Sequence, residues 1–322
     1  VIKKILITGA FGFIGRHCAV YFSRLGFEVS GIGHGSWEEQ EFSKYGIKKW
    51  KSCDVTLKNL IEFSKNDPPN LIIHAAGSAS VGLSLQDPKL DYNKTVTTTK
   101  AVLEFMREHQ KSCHLIVPSS AAVYGDVKNQ RPINETDKLN PVSPYGINKK
   151  EAEDLCVEYS KAYGLRISII RLFSIYGEGL RKQLLFDACE KIKKSEFTFF
   201  GTGDERRDWL HVDDAVRLFD EVSKNMESRI GSRSDAKYGN AEMINGGTGV
   251  SPTVREVLSK VFSNFKEIQD PIFNGLTKKG DPLYYQADVK RANSLGWNPE
   301  VSWQDGVTRY CKWFEDSYKR LS

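Results

Sequence analysis

Thr8-Gly9-Ala10-Phe11-Gly12-Phe13-Ile14-Gly15 decides the fold of this chain. The stretch follows the apolar run Ile5-Leu6-Ile7 and opens the periodic segment Phe13–Leu25, where Ile14, Cys18, Tyr21, Phe22 and Leu25 share one helical face. Each glycine answers a separate need. Gly9 permits a tight turn out of the strand, Gly12 lets backbone approach a phosphate, and Gly15 lets the helix pack closely on the sheet. The free N–H groups and the dipole at the helix N-terminus then favour a pyrophosphate. A plain strand-to-helix turn uses the same glycines, but a clean strand before them and a clean helix after them point to a dinucleotide.

Outward from that loop, short β-branched runs alternate with helical patterns, as in a doubly wound parallel sheet. Glu28–Ile32, Asn70–His74, Cys113–Pro118 and Arg166–Arg171 read as strands. Helices are expected over about Asp91–His109 and from Ser143-Pro144, an N-cap and a first-turn proline, to about Tyr163. Past about Ile175, Gly and Asp turns multiply and strands shorten. The expected architecture is α/β. A Rossmann-type doubly wound sheet over residues 1–175 would hold the dinucleotide, and a smaller α/β substrate lobe over 176–322 would return some segments to the first domain.

Composition narrows the partners. The 322 residues are 40% hydrophobic and 27% charged, ordinary for a globular chain. The formal charge of +5 comes without a lysine or arginine block, so nucleic acid is not an expected partner. Cys18, Cys53, Cys113, Cys156, Cys189 and Cys311 are scattered without metal-ligand spacing, which reads as thiols of a reducing compartment and no metal. The apolar run at the start is too short for a signal peptide or a membrane span, and the cytoplasm is the expected location.

The second strand lacks its usual acid. About 20 residues beyond the glycine loop a carboxylate ordinarily binds the adenosine ribose, and here the segment is Gly31-Ile32-Gly33-His34-Gly35-Ser36, with Gly33 in that place. A 2′-phosphate then meets no repulsion, and Arg16, His34 and Ser36 are candidates to contact it, a slight lean from NAD toward NADP. A solvated Arg16 and a turn residue at His34 are the plain alternatives. Asp54, beside Val55, accepts from the adenine amino group or caps a helix over Thr56–Ser64. Ala75-Ala76-Gly77 after His74 either lets a nicotinamide ribose lie close or forms an ordinary turn. Phe11, Phe13, Ile14, Val55 and Asn93 complete the expected cofactor set.

Tyr145 and Lys149 stand four apart in a helix, on one face. An ammonium beside a phenol stabilises phenolate and lowers its pKa toward neutrality, and an oxidised nicotinamide adds to that. Such a phenol serves as general base toward a sugar hydroxyl. Many Tyr-x-x-x-Lys pairs lie on surfaces, but Ser119-Ser120 at the end of the preceding strand can hydrogen-bond the same oxygen.

On these motifs the chain resembles the extended short-chain dehydrogenase/reductases, specifically the nucleotide-sugar epimerase/dehydratase group with its UDP-glucose 4-epimerase-like members. The resemblance spans nearly the whole length. It rests on the glycine loop, on Ser119-Ser120-Ala121-Ala122-Val123-Tyr124-Gly125, on Pro144-Tyr145-Gly146-Ile147-Asn148-Lys149 and on Arg171-Leu172-Phe173-Ser174-Ile175-Tyr176-Gly177. Gly201-Thr202-Gly203, Arg207-Asp208-Trp209-Leu210-His211-Val212-Asp213-Asp214, Asn245-Gly246-Gly247-Thr248-Gly249 and Gly280-Asp281-Pro282 extend it. The resemblance implies a catalytic trio of Ser120, Tyr145 and Lys149. In the dehydratase branch an Asp-Glu pair follows the catalytic hydroxyl; Ala121 and Ala122 stand there and cannot move protons, so 4,6-dehydration is not expected.

By the same resemblance Arg207 anchors a substrate diphosphate, aided by Lys278, while Ser80-Val81 and Ser84 lie over the sugar. A salt-bridged Arg207, a solvated Lys278 and a polar turn at Ser80, with Asp91 or Asn93 supporting the fold, are the structural alternatives. Ser174 replaces a common asparagine of the substrate loop, and Asn148 a common serine. His211 belongs to a motif whose usual role is structural. The implied activity is C4 epimerisation of a nucleotide-diphosphate sugar through a transient 4-keto sugar, with surface polysaccharide precursors as the natural pathway. An NADPH-dependent 4-keto-sugar reductase shares the trio, and a non-catalytic NAD(P)-binding module is the remote alternative. A homodimer through the helices near Asp91–His109 and Pro144–Tyr163 is also implied.

Overall fold

The computed structural model of the chain describes residues 3–127, 130–228, 241–266, 269–276 and 283–319. By contacts the chain divides into two compact units. The first comprises Val1–Gly125, Lys138–Arg171 and Val216–Ile244, and the second Asp126–Asp137, Leu172–Ala215 and Asn245–Ser322.

Strands β1 (Lys4–Thr8), β2 (Glu28–Gly33), β3 (Ile47–Ser52), β4 (Leu71–His74), β5 (His114–Ser120) and β6 (Arg166–Leu172) come first, followed by β7 (Ser174–Tyr176), β8 (Thr198–Phe199), β9 (Trp209–His211), β10 (Ala241–Gly246) and β11 (Ile272–Phe273). Seven of them form one sheet in the order β10-β6-β5-β4-β1-β2-β3. The β1–β2, β2–β3, β1–β4 and β4–β5 pairs are parallel. This is the expected Rossmann-type doubly wound α/β sheet. Its strands read as unbroken apolar runs because helices cover both faces. Ile5, Ile7, Ile72, Ile73, Leu115, Ile116, Ile167 and Ile169 are all 0% exposed. The chain winds outward in opposite directions from β1 and β4, and the carboxyl ends at that reversal are where such sheets bind ligands.

Two helices differ from expectation. The first covers Phe13–Arg24 and buries Gly15, Cys18, Ala19 and Phe22. Leu25 is 51% exposed, because it lies past the last helical turn at the C-cap, ahead of Gly26 in the left-handed region at φ +86°. The long helix expected over Asp91–His109 is composite: helix Pro88–Tyr92, a π-helical turn at Asn93–Thr97, and helix Thr98–His109. Helix Pro144–Tyr163 begins as expected, with Ser143 Oγ accepting from Gly146 N–H at 3.2 Å and Pro144 in the first turn.

In the second unit β7 pairs with β9 and β8 with β11, both in parallel. Helices Gln183–Lys193, Val254–Asn264 and Trp303–Lys319 complete it. Among the described residues no helix is long and apolar enough to cross a membrane. None of their His, Cys, Asp and Glu side chains forms a group of three or more that could hold a metal ion.

Candidate active site

Register places Thr8, the last residue of β1, beside His74, the last of β4. Thr8 Oγ1 and His74 Nδ1 are 2.7 Å apart, His74 Nε2 lies 3.2 Å from Thr99 Oγ1, and Ala76 N–H donates to Thr8 Oγ1 at 3.3 Å. Burial first, and the Lys149 charge second, push His74 down to about 3, so it is a neutral bridge between two strand ends and a helix. The glycines above it are sterically required. A Cβ at Gly9 (φ +71°) would stand 2.6 Å from Ala76 N, and one at Gly15 would stand 2.3 Å from Gly9 O. The helix that follows starts at the exposed Gly12 with no side-chain cap. Its first N–H groups are therefore left to a ligand, and this cradle fits a dinucleotide pyrophosphate.

At the adenosine end, Gly33 (φ +151°) would carry its Cβ 3.1 Å from Gly9 N. The missing acid thus has a steric cause: β2 ends against the glycine loop. Gly35 packs on the Phe11 ring, which a Cβ would meet at 2.4 Å. Arg16 is not a solvated residue. Its guanidinium stacks 4.3 Å from the Phe11 centroid, 5.1 Å from Trp37 and 5.4 Å from Tyr45, held by cation–π attraction. His34 Nε2 lies 2.7 Å from Asp54 Oδ1, both exposed, and Ser36 is also exposed. Thr56, not Asp54, caps helix Leu57–Ser64, accepting from Asn59 N–H at 3.2 Å. Val55 is buried.

Ser120 closes β5, and its hydroxyl lies near enough to the Tyr145 phenol to favour the phenolate. Tyr145 is fixed from behind. Its N–H donates to Ser84 Oγ at 3.1 Å, and that hydroxyl donates to Val81 O at 2.7 Å. Ser80 caps helix Val81–Gln86, accepting from Leu83 N–H at 3.2 Å. Lys149 Nζ donates to Pro118 O at 3.1 Å and sits 5.9 Å from the Tyr145 ring centroid. A Cβ on Gly77 would come within 3.6 Å of the same ammonium, which places Lys149 against the β4 exit loop Ala75-Ala76-Gly77. Electrostatically the pair departs from expectation. Burial pushes the Tyr145 phenol up, with Ser120 opposing it. Burial also pulls Lys149 down to about 8, against the carboxylates of Asp91 and Glu153. In the protein alone, desolvation is the first cause of both shifts.

Those two carboxylates surround the trio without being evident from its motif. Glu153 accepts from Ser119 Oγ at 2.5 Å, from Arg171 Nε at 3.1 Å to each oxygen and from Arg171 Nη2 at 2.8 Å. Arg171 Nη1 also donates to Tyr124 OH at 3.0 Å. The usable signal is position: Glu153 lies one helical turn beyond Lys149, on the same face. Asp91 Oδ2 accepts from Asn148 Nδ2 at 2.7 Å. Asn93 is exposed, whereas Thr95 is buried and accepts from Ser78 N–H at 3.3 Å.

Ser174 and Arg207 belong to the second unit. Ser174 N–H donates to Asp208 O at 2.9 Å, so the start of β7 runs beside the residue that follows Arg207. Buried Asp208 accepts from the N–H groups of Thr248, Gly249 and Ala287 at 2.6, 2.9 and 3.0 Å and so shapes this turn. Arg207 Nη1 donates to Arg206 O at 2.9 Å, and its guanidinium lies 6.0 Å from the Tyr285 ring. His211 is buried with Nε2 3.0 Å from Glu178 Oε2, a structural contact. Lys278 lies outside the described residues.

A family model described as the NAD dependent epimerase/dehydratase family matches residues 5–233. A putative UDP-glucose 4-epimerase of Methanocaldococcus jannaschii is 26% identical, over 97% of this chain and 99% of that protein. A CDP-paratose 2-epimerase of Salmonella typhi is 28% identical, over 96% and 98%. Among solved structures, UDP-glucose 4-epimerase of Thermotoga maritima with UDP-glucose superposes with a TM-score of 0.85 at 24% identity, covering 98% of this chain and all of that one (100%).

Proposed function

The chain belongs to the NAD dependent epimerase/dehydratase family, and on that premise we propose that it inverts C4 of a nucleoside-diphosphate sugar. The observation that carries this reading is the Ser120–Tyr145–Lys149 cluster, set against the β4 exit loop beside the glycine cradle. Bound NAD(P) supplies a hydride acceptor that is also a hydride donor. Gly9, Gly12, Gly15 and the Phe13–Arg24 N-terminus hold its pyrophosphate, and Ala75, Ala76 and Gly77 leave room for the nicotinamide ribose. Gly33 offers no carboxylate against a 2′-phosphate and Arg16 stands by the loop, which supports NADP being accepted as well as NAD.

The side chains act on one oxygen. Tyr145 takes the proton of the sugar hydroxyl as that carbon is oxidised and returns it when the carbon is reduced again. Ser120 donates to the same oxygen, and the Lys149 ammonium stabilises the phenolate. Arg207 is the proposed anchor of the diphosphate, so that the sugar alone changes face. Ala121 and Ala122 carry no group able to eliminate water, so the carbon skeleton keeps its hydroxyls. Relatives named as epimerases favour this cycle over one-way reduction.

Exposed apolar side chains on helices Val81–Gln86, Pro88–Tyr92 and Pro144–Tyr163, among them Leu83 (62%), Leu90 (46%) and Ile147 (50%), support pairing of two copies through this face. Gel filtration with light scattering tests it, and a monomer refutes it.

The first test is mass spectrometry of dinucleotide released from protein purified without added cofactor, followed by proton NMR of UDP-glucose, UDP-glucuronate and a CDP-hexose incubated with it. Carried-through cofactor and an equilibrium mixture of C4 epimers are expected. Inversion at C2 alone overturns the C4 assignment. An empty protein that prefers NADPH and only reduces 4-keto sugars overturns the epimerase.

A further inference from the structure

Two buried carboxylates stand by Lys149, and their circumstances differ. Glu153 is committed to the Arg171 guanidinium, a countercharge 2.8 Å away. Asp91 is 3% exposed and forms no ion pair with any described residue. Its only described side-chain partner is the neutral amide of Asn148, the residue directly before Lys149, and its Oδ1 has no hydrogen-bond partner among the described residues. A buried carboxylate with an unsatisfied oxygen is costly, and a neutral side chain would serve a purely structural bond to Asn148 at less cost. Both partners are particular to the site: helix Pro88–Tyr92 packs on helix Pro144–Tyr163, and Asn148 occupies the position between Tyr145 and Lys149 that faces it.

We propose that Asp91 is an electrostatic positioning residue, whose carboxylate, tethered by Asn148, keeps the Lys149 ammonium charged beside Tyr145. The other groups around the pair do not replace it. On its own helix Glu153 is neutralised by Arg171. From β4 comes His74, a neutral imidazole. β5 and the turn Ala121–Val123 bring only Ser119 and Ser120 to the pair, and helix Val81–Gln86 brings no charged residue. Lys89 and Lys94 are exposed, and helix Thr98–His109 brings Glu104, which is paired with Arg107. Asp91 opposes the burial of Lys149 and works with the burial of Tyr145, so it favours the ammonium and the neutral phenol at once. The proposal rests on the catalytic reading of Tyr145 and Lys149, but its test does not depend on turnover.

The experiment follows the ¹³Cε resonance of Lys149 against pH in cofactor-free protein labelled at lysine, assigned with Lys149→Arg. Wild type titrates near the about 8 set by burial. In Asp91→Asn the midpoint falls by about one unit, the scale of a lost neighbouring charge, and Asp91→Glu restores it. A merely structural Asp91 predicts the opposite sign, because loosened packing rehydrates the ammonium and raises the midpoint. An unmoved or raised midpoint overturns the proposal. If Asp91→Asn fails to fold, Asp91→Ser removes the same charge in a smaller side chain. With substrate, the pH profile of kcat should move to lower pH in step, and loss of the epimerase reading would leave the cofactor-free titration standing.

Discussion

Glu153→Leu removes the acceptor of four hydrogen bonds at once, three from Arg171 and one from Ser119. Both charged side chains are almost wholly enclosed, at 3% and 4% exposed. The Arg171 guanidinium would then stay in the interior stripped of its carboxylate, a change that costs about 3–5 kcal/mol when a buried pair is broken from one side. For a unit of this size about 2–4 °C of Tm accompanies each kcal/mol. The expected fall is therefore about 6–20 °C. Urea denaturation with an unchanged m-value gives the same quantity at 25 °C as a shift in midpoint.

The double variant Glu153→Leu/Arg171→Met separates desolvated charge from lost packing. With both charges gone and similar volume kept, the pair is replaced by apolar contact, and stability should recover to within about 1–2 kcal/mol of wild type. The reasoning fails if the single variant loses less than about 1 kcal/mol, or if the double variant is no more stable than the single one. Either result would mean that water reaches the Arg171 site and that the network is a surface pair in energetic terms.

Tyr145→Phe should keep the wild-type melt yet lose at least about 100-fold in turnover of any accepted nucleotide sugar, the low end of general-base contributions. Residual activity within a few-fold of wild type would remove Tyr145 from the chemistry. Gly15→Ala puts a Cβ 2.3 Å from the Gly9 carbonyl oxygen, a backbone atom that cannot swing aside. A loss of about 1–3 kcal/mol and of dinucleotide binding by calorimetry is expected; normal binding would contradict the cradle. His74 and His114 are each pushed down to about 3, burial being the first cause and the charges of Lys149 and Arg166 the second. Both depressed values mean that the unfolded chain takes up two more protons below about 6.5, so stability is full above that pH and declines as pH falls toward 3. The slope contributed is about 2.7 kcal/mol per pH unit. His114→Asn should halve it in urea titrations between pH 6 and pH 4, and an unchanged slope would refute the assignment.

The local signals of this fold lie close together in sequence. The apolar run before Gly9, the spacing of the three loop glycines, and Ser143-Pro144 before Tyr145 each record a short-range constraint: a strand to fill, a backbone clash to avoid, an N–H to cap. They are legible because the residues that impose and satisfy each constraint are neighbours in the chain. Asp208 is the contrary case. Its partners at Thr248, Gly249 and Ala287 lie between 40 and 79 residues away, and nothing in Arg207-Asp208-Trp209 alone distinguishes an anchor for substrate from a carboxylate occupied with backbone. Leu25 fails for a different reason. Periodicity extends a helical face smoothly, while the chain stops at Arg24 and turns through Gly26.

Asn93 and Thr95 show how a small change of helical pitch moves a site. Counting by 3.6 residues from either flanking helix assumes one uninterrupted spiral from Asp91 to His109. The π turn at Asn93–Thr97 widens the spiral by one residue, so the phase of the N-terminal part does not carry through to the C-terminal part. Asn93 therefore faces outward, and Thr95 reaches the loop after β4, where its hydroxyl accepts from Ser78 N–H at 3.3 Å. The same widening leaves Asp91 in the first segment facing Asn148 while Thr99 in the second faces His74. In a regular helix Asp91 and Thr99, eight residues apart, would fall about 80° from one another, and the inserted residue changes that angle. The π turn lets one chain segment serve both the end of β4 and the helix that carries Tyr145 and Lys149. Deleting one residue within Asn93–Thr97 to restore regular pitch should therefore uncouple the two, and retention of both the Lys149 titration and the wild-type melt would show that the turn is incidental.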